Sequence, residues 1–182
     1  MPIFVDKKRL SNNPEFSLWI FSQFELRFEY GFPMKTIYDW WTDLSGEGYV
    51  GRSLKSTQLI AKHDEKNVVR TLWEIMGKRM VMMERLTLDP PDHWVWEPHM
   101  LGIDMVHDFR LKETKGGKVV LTIRSDMIPR GSKGRIMSLM VGWFLRRMMV
   151  DEWESADRAF KLEIDDSRKT VVGGFELVPF SD

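Results

Sequence analysis

The chain contains no cysteine, which excludes disulfides, thiolate zinc sites and a cysteine nucleophile, and suits a reducing compartment. It also lacks net charge, since Lys plus Arg and Asp plus Glu each total 27 in 182 residues. No global field draws in nucleic acid, so a charged partner has to be met by a local patch. Met1 to Leu10 places Lys7, Lys8 and Arg9 after a short apolar stretch and has no signal-peptide core, so a cytoplasmic location is expected. The longest apolar run, Ile136 to Val150, is interrupted by Arg146 and Arg147 and falls short of the ~20 residues that span a bilayer.

Motifs are sparse too. His63, His93, His99 and His107 form neither a His-x-His nor a His-Glu-x-x-His pattern, and there is no Gly-x-Ser-x-Gly nucleophile elbow. No metal and no cofactor are expected. Gly46-Glu47-Gly48-Tyr49-Val50-Gly51 spells G-x-G-x-x-G. A dinucleotide site needs a strand before this motif and a helix after it, and here the order is reversed. A flexible structural loop, at a pocket rim or elsewhere, is the better reading.

What the chain has is aromatic and thioether mass: eight Trp, eleven Phe and thirteen Met. Such side chains fill irregular cores and line adaptable pockets. From Phe16 to Tyr30 the even positions are mostly apolar, against Ser17, Gln23, Glu25, Arg27 and Glu29 among the odd ones, the period of a half-buried strand. Gly31 to Pro33 end it, and Met34, Ile37, Trp40 and Trp41 recur at helical spacing as far as Thr42. Six further strands are predicted: Thr57 to His63, Val68 to Met76, Arg79 to Leu88, His93 to Pro98, Gly102 to Lys112 and Lys118 to Ile128. Their short connections require antiparallel neighbours. Pro129 and Gly131 stop the last strand, Ser132 can cap, and a helix follows to about Leu162.

This order predicts an α+β helix-grip domain: a seven-stranded curved antiparallel sheet wrapped around a long C-terminal helix. Residues 16–165 form that domain, with an N-terminal extension over 1–15 and a C-terminal tail over 166–182 that carries a strand-like Phe175 to Val178. The strand followed by Phe32 to Leu44, "FPMKTIYDWWTDL", the six further strands and the amphipathic C-terminal helix together resemble the START-like, or SRPBCC, superfamily, which includes Bet v 1 and polyketide cyclases. The resemblance runs from about Phe24 to Leu162. It implies binding of hydrophobic small molecules or lipids, with a minority of cyclases, hydratases and other enzymes.

Strand parity selects candidate site residues. Met80, Met82, Glu84, Leu86 and Leu88 share one face, so Glu84 interrupts an apolar row; His107 does the same among Ile103, Met105, Phe109 and Leu111. A buried carboxylate needs a partner, a proton or a wet pocket mouth, and a neighbouring imidazole would serve both groups. The pair either orients a ligand or transfers protons, or only fixes the sheet; a bulge at Val81 to Met83 would turn Glu84 outward instead. The expected lining is Trp73, Met82, Glu84, Trp94, Trp96, Met105, His107, Phe109, Ile123, Met140 and Phe144.

On the C-terminal helix, Ile136, Met140, Trp143 and Val150 are expected to face the sheet, while Met137, Phe144, Met148 and Met149 spread onto a second side. That side would meet a ligand, a second copy of the chain or a membrane surface; Arg130, Lys133, Arg135, Arg146 and Arg147 would suit anionic lipid, but a second copy or simple burial in the core is the stronger expectation. Beyond Asp151 the pattern turns polar, as in a solvated outer half. Three functions stay open: binding of a hydrophobic small molecule or lipid for transport, sensing or sequestration; a cyclase, hydratase or isomerase; and a regulatory or chaperone-accessory module.

Overall fold

The computed structural model describes residues 23–44, 51–64 and 66–173, with side chains as far as Ile164. Its elements run β1 (Gln23–Tyr30), α1 (Met34–Trp41), β2 (Leu54–His63), β3 (Lys66–Ile75), β4 (Lys78–Asp89), β5 (His93–Glu97), β6 (His99–Met100), β7 (Ile103–Glu113), β8 (Val119–Pro129) and α2 (Gly131–Gly173). Every strand pair is antiparallel, in the order β1-β8-β7-β5-β4-β3-β2, with the two-residue β6 joined to β7. The sheet therefore has the expected seven strands plus one short addition. Consecutive hairpins build β2 to β5, whereas β1 crosses to the far edge beside β8, and α1 fills the gap between the two edge strands in sequence.

The parity expected of the sheet holds. Along β7, Ile103, Met105, His107, Phe109 and Leu111 are buried and alternate with more exposed residues. Along β4 the buried positions are Glu84 and Leu86, with Met80, Met82 and Leu88 partly covered on the same face. Their register with β3 runs without a shift, so no bulge turns Glu84 outward. Residues 16–22 of the expected first strand, residues 46–50 of the glycine motif and the strand-like 175–178 lie outside the described residues.

The rotation of α2 differs from the expected one, and Gly134 explains it. This glycine is buried, and a β-carbon there would overlap the Gly102 carbonyl oxygen in the β6–β7 turn. Gly102 and Leu101 both have positive φ, which shapes that turn for close approach. The side of the helix that carries Gly134 must then face inward, and along it follow Met137, Val141, Phe144, Leu145, Met148 and Met149, all buried or packed against the core. Ile136, Leu139, Met140 and Trp143 point outward, Met140 at 75% and Trp143 at 65% exposure. Met140 is thus no lining residue, and Met137, Phe144 and Met148 are not the free side. Exchanging Met140 for Gln and Trp143 for Ser should change the unfolding free energy by no more than about 0.5 kcal/mol in urea denaturation; a large loss would contradict the helix rotation.

The second half of α2 is also the reverse of the expected solvated segment. Glu152, Trp153, Ala156, Asp157 and Phe160 are all buried, at spacings that keep them on the sheet side. The polar members are covered because they have partners: the Glu152 carboxylate accepts from the Ser53 backbone N–H at 2.7 Å, and Asp157 accepts from Lys161 at 2.8 Å. The helix begins at Gly131 and extends to Gly173, past the boundary expected at residue 165.

Candidate functional site

The inner face of the sheet, α1 and the middle of α2 enclose a cavity of about 50 Å³. Five tryptophans line it: Trp40 and Trp41 from α1, Trp94 and Trp96 from β5, and Trp153 from α2. Leu54, Val69, Leu86 and Ala156 close its buried end, while Ser56, Thr57, Leu44 and the exposed Asp43 mark its mouth. These rings meet at steep angles. Trp40 and Trp41 lie 5.7 Å apart at 73°, Trp96 and Trp153 5.5 Å apart at 60°, and Trp41 and Trp153 6.3 Å apart at 46°. The walls thus surround the space from several directions. One further ring locks the floor, where Phe109 stacks on Trp94 at 4.9 Å.

Behind the walls sits Glu84, 3% exposed. One of its oxygens accepts the Trp73 indole N–H at 3.1 Å and the other the Trp96 indole N–H at 2.7 Å. Thr71 Oγ1 accepts from the same Trp73 nitrogen at 3.0 Å and also hydrogen-bonds the carboxylate. Burial pushes the Glu84 carboxyl up to about 7, and the hydrogen bonds from Thr71, Trp96 and Trp73 hold it from rising further. His107 is fully buried, with Nδ1 2.7 Å from Ser125 Oγ. Desolvation lowers the imidazole to about 3, so it is neutral. Its Nε2 and the buried Trp153 Nε1 have no partner among the described residues, and the two rings lie 5.4 Å apart.

Glu84 and His107 do face one interior but do not pair. Trp96 stands between them: it is directly opposite His107 in the β5–β7 register, and its indole reaches the other way to Glu84. Indole donors solve the carboxylate's problem in place of an imidazole. Of the expected lining, Trp94 and Trp96 border the cavity; Trp73, Glu84, His107 and Phe109 form the layer behind it. Met105 and Ile123 are core residues, and Met82 and Phe144 are partly buried against that core. None of these eight borders the cavity.

No protein-family model matches the chain, and no curated protein matches it in sequence. Solved structures do. The Zhui aromatase/cyclase from Streptomyces sp. R1128 superposes with a TM-score of 0.62 at 14% identity, over 78% of this chain and 94% of that one. A START superfamily protein from Mycobacterium smegmatis gives 0.56 at 12% identity, over 78% and 98%. Ara h 8.0201 gives 0.58 at 10% identity, over 76% and 96%.

The chain has the START-like helix-grip fold. At these identities the likeness establishes the fold alone, and the START-like frame does not by itself select a ligand. Among the described residues no three His, Asp or Glu side chains are grouped to hold a metal ion, and no helix is long and apolar enough to cross a membrane. Residues that sequence reasoning missed, Trp40, Trp41, Leu54, Val69 and Trp153, come from elements whose meeting depends on tertiary packing. Two signals were available: the adjacent indoles at 40 and 41, and the i, i+3, i+7 stripe of Trp153, Ala156 and Phe160.

Proposed function

We propose that this START-like domain binds a small, largely apolar molecule in the cavity between the sheet and α2, for transport, sensing or sequestration. The observation that carries this reading is the five-tryptophan lining. A space walled by large apolar rings favours a ligand through the area it removes from water, about 25 cal/mol per Å². Catalysis has less support, since both Glu84 oxygens are engaged by indoles and His107 does not line the cavity.

The test is to fill the space. Ala156 is buried at the cavity wall, so Ala156→Leu should keep the fold while weakening saturable quenching of tryptophan emission by apolar fluorescent probes at least tenfold. Probes that fail to bind the parent protein, or that bind both proteins equally, would remove the basis of this reading. The outward Ile136, Leu139, Met140 and Trp143 are where a second copy or an anionic membrane would make contact; sedimentation with and without liposomes separates the two.

A further inference from the structure

We infer that the outward side of α2, in its first half, docks on an anionic lipid surface. This goes beyond the cavity reading and does not rest on it. Ile136, Leu139, Met140 and Trp143 follow one another at helical spacing over about two turns, and each is more than half exposed. Four large apolar side chains in one row are more than a scatter of exposed hydrophobics, and such a patch marks a contact site. Leu101, 48% exposed, adds another at the same end of the helix, in the turn that Gly134 touches.

The charge around this row has one sign. Between Asp126 and Asp151 the chain has no Asp or Glu, while Arg130, Lys133, Arg135, Arg146 and Arg147 all fall there. The whole chain is neutral, so this is a local concentration. Asp104 holds Arg130, and Asp151 holds Arg147 at 3.1 Å. Lys133 and Arg135, both exposed, have no carboxylate partner among the described residues. At 3.6 residues per turn Lys133 borders the row on one flank, and Arg135 and Arg146 on the other. An aliphatic and Trp stripe between two cationic flanks suits a helix lying in a lipid interface. The apolar side chains enter the acyl boundary, and the Lys and Arg heads reach the phosphates.

Other occupants fit this surface less well. A two-fold contact with a second copy sets Lys133 and Arg135 against themselves if the helices run parallel, and against Arg146 and Arg147 if they run antiparallel. No carboxylate from this stretch answers them in either case, and like charges across an interface oppose it. A helix of another protein would dock in a groove, whereas this row is the crest of α2, opposite the side packed on the sheet. Residues 1–22 bring three cations against two carboxylates and so cannot balance the patch. Residues 174–182 cannot reach it. The helix carries the chain about 45 Å past Trp143, and that extended segment spans only about 32 Å.

The experiment is co-sedimentation of the full chain with vesicles of phosphatidylcholine alone and of phosphatidylcholine with about one-third phosphatidylserine. Partition into the anionic vesicles should be at least tenfold stronger, and added salt should remove most of that difference. Met140→Gln combined with Trp143→Ser should weaken partition at least tenfold. Lys133→Gln combined with Arg135→Gln should weaken it about twenty-five-fold, roughly fivefold for each cation lost. All four positions are exposed, so both double variants should fold. Equal partition into the two vesicle types, or an anionic preference that either double variant retains, overturns the assignment. A monomer that ignores both vesicle types overturns it as well. So does a dimer, seen by sedimentation velocity, that Met140→Gln with Trp143→Ser dissociates, because a second copy then holds the row. The cavity reading survives each of these results, since its probe-quenching test does not involve this side of α2.

Discussion

Replacing Phe160 by alanine should lower the unfolding free energy by about 3 to 5 kcal/mol, the cost of removing a large ring from a core that cannot collapse around the gap. The ring is fully buried in the half of α2 whose sequence reads as polar. It meets Tyr30 at 5.0 Å, Phe32 at 5.6 Å and Trp40 at 5.3 Å, all near edge-to-face, so one side chain ties α2 to β1, to the turn after it and to α1. Urea denaturation should show a lower midpoint with an unchanged slope. Phe160→Leu keeps most of the volume and should cost less than about 1.5 kcal/mol. A loss below about 1 kcal/mol for the alanine variant would mean that the second half of α2 is not seated on the sheet.

That expectation could not have come from hydropathy, and the reason separates what was legible from what was not. Alternation in β4 and β7 is dictated by the pleat, so Glu84 and His107 could be assigned to the interior from parity alone. A helix offers no such constraint when two of its sides are apolar. Between Ile136 and Met149 either side of α2 satisfies the pattern, and the choice falls to Gly134, whose missing β-carbon lets the backbone reach Gly102. Beyond Asp151 the converse holds: Glu152 and Asp157 read as surface residues, yet each is buried because a neighbour supplies its hydrogen bond. Pattern reports cost without partners, and partners are tertiary.

The cavity was hidden for the same reason. Trp94 and Trp96 were accessible to parity, but the wall facing them is built by α1 and Trp153, whose positions depend on how the two helices close over the sheet. Glu84 shows the limit most clearly. Its burial was readable, its need for a partner followed from electrostatics, and the partners turned out to be two indole N–H groups two strands apart in the sheet.

The two buried groups, Glu84 and His107, should also shape the dependence of stability on pH, with opposite signs. His107 titrates near 3 in the folded chain against an ordinary value of 6.5. As pH falls below 6.5 the unfolded chain takes up a proton that the folded one refuses, so stability is lost down to about pH 3, by about 5 kcal/mol in all. Glu84 titrates near 7 against 4.5. Between those values the folded chain holds the extra proton, so stability rises as pH falls, by about 3 kcal/mol. The two effects nearly cancel from pH 6.5 to 4.5, and below 4.5 only the His107 loss remains. Urea denaturation from pH 8 to 3 should therefore show a plateau followed by a steep acid limb. Glu84→Gln should remove the compensating gain, so that stability declines from pH 6.5 downward. His107→Asn, which keeps a polar atom near Ser125, should flatten the acid limb and let stability rise from pH 7 to 4.5. An acid limb unchanged in His107→Asn would show that the imidazole is not held neutral inside the sheet.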